Sequence, residues 1–109
     1  MLTQEVKIFQ PSGSLDATKS QAFRQEIAGV VENGTKVVLV DLKNVTFMDS
    51  SGLGALVLAF KTLRAANSKL VLCSINEQIR ILFELTGMDK VFEIFASQDE
   101  FEKSMMSRA

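Results

Sequence analysis

The segment Phe47-Met48-Asp49-Ser50-Ser51-Gly52-Leu53-Gly54-Ala55-Leu56 sets one carboxylate and two hydroxyls at the head of an apolar run broken by two glycines. Three kinds of chemistry could use it. A serine can attack as a nucleophile, accept a phosphoryl group from another enzyme, or cap a helix. Composition speaks against the first. The chain has no histidine and one cysteine, so no Ser-His or Cys-His pair can form. The order S-S-G-L-G is not the G-x-S-x-G elbow, and the nearest lysine, Lys43, sits in no pairing motif.

Nucleotide chemistry fares no better. Gly52-x-Gly54 opens a helix after a strand, but Val57 holds the third glycine position of a dinucleotide loop. The next strand ends in Cys73-Ser74, where an acidic ribose partner is wanted. No G-x-x-x-x-G-K-[ST] string occurs. Only oxygen ligands would be available to a metal. The expectation is a non-enzymatic chain with no catalytic residue, cofactor or metal.

The elements that must position this segment alternate. Residues 5–10 (EVKIFQ) read as a short strand near an edge, ended by Pro11, Ser12 and Gly13. A helix follows, with Asp16 as cap or Thr18 and Gln21 as a competing capping box, and with Phe23, Ile27, Val30 and Val31 on one face. Asn33-Gly34 stops it. KVVLVDL (36–42) and KLVLCS (69–74) are β-branched or continuously apolar, as central strands covered on both faces require. Between them KNVTFMDSS reads as a loop, and Leu53, Leu56, Val57, Phe60 and Leu63 recur at helical spacing. Asn76 caps a third helix that Gly87 ends. KVFEIF (90–95) reads as a fourth strand, and Ser97-x-x-Glu100 opens a fourth helix.

The order β-α-β-α-β-α-β-α predicts an α/β domain with about four mostly parallel strands, a mixed sheet being the alternative, and four helices. The loops after the first two strands should both lie at the carboxyl edge of such a sheet. Asp16, Asp49, Ser50 and Ser51 should therefore share one end of the molecule. Phe23, Phe60 and Phe83 are expected in the core, with Phe47 beside them and Met48 partly exposed. Cys73 should be a buried thiol, and Lys61, Arg64 and Lys69 a solvated face.

Bulk properties set the class. The 109 residues fit one domain, expected to span 1–109 with a frayed tail from about 104. Hydrophobic content of 47%, charge of 23% and a net charge of −1 match a globular protein without a nucleic-acid or anionic-membrane footprint. No apolar stretch approaches the ~20 residues that span a bilayer, and the N-terminus lacks a secretion-signal pattern. A cytoplasmic location is expected, with no direct nucleic-acid or membrane partner.

Two uses of the serines remain. In one, Asp49, Ser50 or Ser51 is simply a helix cap, which stabilises by about 1 kcal/mol. Alternatively a kinase phosphorylates one of them, where helix amides and dipole tolerate the added dianion. A charge of about −1.5 to −2 beside Asp49 and Asp16 would then change what docks there.

LVDLKNVTFMDSSGLGAL resembles the signature of STAS domains, specifically of bacterial anti-sigma factor antagonists. GSLDATKSQAFRQEI resembles the G-x-L-D segment entering the first helix of that family. KLVLCSINEQIRILFELTGMDKVFEIFASQDE resembles its third strand, third helix with a terminal S/T-G-[LM], and last strand. This resemblance implies partner switching: the unmodified antagonist binds an anti-sigma factor that is also a serine kinase, and phosphorylation releases it. It implies Ser51 as acceptor, since Ser51 directly precedes the motif glycine. It also places partner or kinase contacts at Asp16, Met48, Asp49, Ser50, Gly52 and Leu53. A PP2C-like phosphatase would reset the switch, and ATP belongs to the kinase. Members often carry a strand before the G-x-L-D strand, which here would be short or absent. The alternatives are a STAS scaffold in a sensory assembly or in lipid transport, unphosphorylated, and a small nucleotide-binding enzyme. A weak homo-oligomer at a free sheet edge is compatible with all of them.

Overall fold

The structure, a computed structural model, describes residues 6–108. Its elements are β1 (Val6–Phe9), β2 (Gly13–Leu15), α1 (Ala17–Glu32), β3 (Val37–Asp41), β4 (Val45–Met48), α2 (Ser50–Ala65), β5 (Lys69–Cys73), α3 (Glu77–Thr86), β6 (Glu93–Phe95) and α4 (Gln98–Arg108). A 3-10 turn, Met88–Lys90, links α3 to β6. The four helices and the parallel pairing are those expected, while the element order gains two short strands, β2 and β4. Glu5, assigned above to the first strand, lies outside the described residues, and α4 runs on through 104–108.

Four strands form one sheet in the order β1-β3-β5-β6, every pairing parallel. β3 and β5 are central and β1 is an edge, as their apolar content predicts. Alternation sorts their side chains. Val38, Val40, Leu70 and Leu72 face α1, α2 and α3 in the larger core. Val37, Leu39, Val71 and Cys73 face the other way, against Phe101 and Met105 of α4. An edge-to-face pair, Phe95 and Phe101 at 5.6 Å, helps hold α4 there. Phe23 and Phe83 are buried and Phe60 is half-buried.

The departure from expectation lies between these layers. Residues 13–15 and 45–48, read as turn and loop, form a separate two-stranded parallel sheet. The strand read over residues 5–10 is followed by a second one: β1 belongs to the large sheet, β2 to the small one, and Gln10-Pro11-Ser12 divides them. The further strand expected to be short or absent before Val6 lies outside the described residues. β6 begins at Glu93 rather than at residue 90, because the 3-10 turn occupies Met88–Lys90.

Within the small sheet Gly13 pairs with Val45 and Ser14 with Phe47, so Thr46 is a bulged extra residue. The bulge resets the two-residue alternation. Val45 and Met48 both point inward, while Thr46 and Phe47 face out. This corrects two expectations at once. Met48, expected partly exposed, is fully buried, and Phe47, expected in the core, is 46% exposed.

Candidate functional site

The small sheet explains why two helix starts lie side by side. β2 leads into α1 and β4 into α2, and Leu15 stands opposite Met48 in parallel register. The next residue of each chain, Asp16 and Asp49, is the N-cap of its helix. The Asp49 amide donates to the Leu15 carbonyl at 3.4 Å. Gly52 lies over that carbonyl so closely that a Cβ would come within 2.1 Å of the Leu15 oxygen. The glycine is required by this approach, not by an unusual backbone conformation.

Asp49 settles the capping question. Its Oδ1 accepts from the Gly52 amide at 2.9 Å and its carbonyl accepts from the Leu53 amide at 2.9 Å. Neither serine is the cap. Ser50 and Ser51 are the first two residues of α2, and both are exposed. Among the described residues no hydrogen bond holds the Ser51 hydroxyl, and the Ser50 and Ser51 amides have no protein acceptor. A free hydroxyl therefore stands beside unclaimed amides at the positive end of a helix dipole.

Asp16 closes the opposite side. Its Oδ1 accepts from the Thr18 hydroxyl at 2.5 Å and the Thr18 amide at 3.0 Å, so Asp16, not Thr18, starts α1. The Thr18 hydroxyl above all, with Lys19 nearby, holds this carboxyl below its ordinary value. Ser20 joins the two helix starts: its hydroxyl lies 2.9 Å from the Asp16 carbonyl and 3.4 Å from the Ser51 carbonyl. Asp16, Asp49, Ser50 and Ser51 thus share one end, as expected. Met48 and Gly52 are buried and Leu53 is 7% exposed, so these three shape the loop from beneath. Beside Ser50 a groove of about 410 Å³ runs along α2, lined by Leu53, Gly54, Val57, Lys61 and Met88.

Two residues at the start of α3, the expected cap Asn76 and the unforeseen Gln78, support the loop from its other edge. Asn76 caps α3 through its Oδ1 and donates from Nδ2 to the Val45 and Thr46 carbonyls at 3.2 and 3.3 Å. The Gln78 side chain pairs with both main-chain groups of Met48: Met48 N–H to Oε1 at 2.9 Å, and Nε2 to the Met48 carbonyl at 2.8 Å. A polar residue in the first turn of a helix carries no periodic signal, so only the Asn76 cap could be found in advance.

The described residues hold no group of three or more His, Cys, Asp or Glu side chains able to bind a metal. None of their helices is long and apolar enough to cross a membrane. Buried Cys73 lies beside Asp41, which accepts from Gln10 Nε2 at 2.9 Å. Burial, above all, pushes the Cys73 thiol up from its usual range.

The STAS domain family model matches residues 2–101. The chain belongs to the STAS domain family. An anti-sigma-B factor antagonist of Listeria monocytogenes is 36% identical over 92 residues, 84% of this chain and 80% of that relative. The fold is similar to that of the anti-sigma factor antagonist SpoIIAA in its unphosphorylated form. That match has a TM-score of 0.73 at 20% identity and covers 98% of this chain and 94% of the other. It is also similar to the Bacillus cell fate determinant SpoIIAA in the phosphorylated form. Here the TM-score is 0.71 at 21% identity, with 95% of each chain covered.

Proposed function

We propose that this STAS protein is an anti-sigma factor antagonist that works by partner switching, with Ser51 as its phosphoacceptor. The unmodified chain binds an anti-sigma factor with serine kinase activity. Transfer of a phosphoryl group to Ser51 Oγ releases it, and a PP2C-like phosphatase restores the hydroxyl. The observation that carries the reading is the state of Ser51: exposed, unbonded and relieved of capping duty by Asp49. The Listeria relative, an anti-sigma-B factor antagonist by name, supports the regulatory role.

The physics of release is electrostatic. A phosphate of about −1.5 to −2 would sit on the unclaimed amides of α2, which keeps the helix intact. The same charge, between the Asp16 and Asp49 carboxylates, repels any partner fitted to the neutral loop. The docking face we assign comprises Asp16, Asp49 and Ser50 with the adjoining groove, supported beneath by Met48, Gly52 and Leu53.

The test pairs the chain with ATP and its anti-sigma kinase. Mass spectrometry should show one added phosphate, absent from Ser51→Ala. Ser51→Asp should bind the kinase more weakly while its circular-dichroism spectrum stays native. Phosphate persisting on the alanine variant, at Ser50 or elsewhere, overturns the assignment.

A further inference from the structure

We infer that Gln78 is a positioning residue for Ser51, coupling the start of α3 to the phosphoacceptor loop. The inference deepens the reading above and rests on it for its kinetic arm only. β4 has two edges. On one, β2 takes the Asp49 amide through the Leu15 carbonyl. On the other, where a third strand would pair, two side-chain amides of α3 stand in for it. Asn76 donates to Val45 and Thr46, and Gln78 both donates to and accepts from Met48. A primary amide can mimic a strand neighbour in this way because it carries donor and acceptor at one end. Met48 is buried, so its main-chain groups would otherwise meet neither water nor a partner.

The placement matters for the site. Met48 immediately precedes the cap Asp49, and Asp49 orients the first turn that presents Ser51. The Gln78 amide is therefore one pair of hydrogen bonds and one peptide link from the residue that aims the hydroxyl. Its loss frees Met48 to shift, and with it the cap, without touching the sheet that holds the domain together. A helix at a distance from the serine thereby gains a grip on how it is presented.

Amide hydrogen exchange decides the structural arm without any kinase. Gln78→Met keeps the length and removes both bonds. Met48, Gly52 and Leu53 should then exchange about tenfold faster, while Leu63 of α2 and Leu72 of β5 keep native rates. Gln78→Glu keeps the acceptor for the Met48 amide but turns an oxygen on the Met48 carbonyl, so Met48 should exchange faster than in wild type and more slowly than in Gln78→Met. A uniform rise at all five amides, or no rise at Met48, overturns the coupling. In the kinase assay Gln78→Met should lower kcat for Ser51 about threefold at unchanged KM. A wild-type kcat in Gln78→Met overturns the coupling. A wild-type chain that takes no phosphate, with the exchange pattern intact, instead tells against the Ser51 reading alone.

Discussion

The two parallel sheets are built on opposite terms. The four-stranded sheet has central strands buried on every residue but Lys69, with apolar side chains on both faces. The two-stranded sheet is short, bulged and completed by side-chain amides instead of a third strand. The first is held by packing, which tolerates no rearrangement. The second also sets Leu15, Val45 and Met48 into the core, but its open edge is closed by two side-chain amides, and it leads into the helix start that carries the candidate acceptor. A scaffold and a presenting loop thus divide the labour within one small fold, and each should fail in its own way.

The largest effect is expected from the scaffold. Leu72 is fully buried in β5, so Leu72→Ala should lower unfolding free energy by about 2–5 kcal/mol in urea titration. Phosphorylation of the folded fraction at Ser51 should be unchanged. A variant that folds well yet loses phosphorylation would break the division.

Two neighbouring glycines give a smaller and sharper contrast. Gly52→Ala drives a Cβ into the Leu15 carbonyl and should cost about 1–3 kcal/mol, displacing the two helix starts from each other. Gly54, on the same helix, has open space where a Cβ would go, so Gly54→Ala should stabilise by about 0.5–1 kcal/mol. Equal effects would mean that the close approach at Gly52 is not what fixes the loop.

The smallest effect is a pH dependence. The Asp16 carboxyl is held below its ordinary value by Thr18, so its charged form favours the folded state. That contribution is present above the unfolded pKa and is lost as pH falls through the depressed folded value. Urea titrations of wild type and Asp16→Asn should differ at pH 5 and converge well below pH 4. A gap that persists in acid would assign the cap to geometry rather than charge.

These regions were also unequally legible. The apolar runs of β3 and β5, the Asn76 cap, the left-handed Gly87 and the Ser97 bond to the Glu100 amide all follow from pattern. So does the clustering of Asp16 with Asp49 and Ser51, although the small sheet rather than the large one brings them together. β2 and β4 were invisible because neither is long or regular enough to show a period. Phe47 and Met48 were expected the wrong way round because a segment read as loop gives no alternation from which to sort them, and the Thr46 bulge would have disturbed one. Gln78 was missed because its role depends on what lies across from it.

The surplus residue at Thr46 has a consequence for chain length. Taking it out would leave Val45, Phe47 and Met48 in plain in-out-in alternation, still opposite Gly13, Ser14 and Leu15. Natural or engineered variants should therefore accept many replacements at position 46, and even its loss, without turning Met48 out from beneath Gly52.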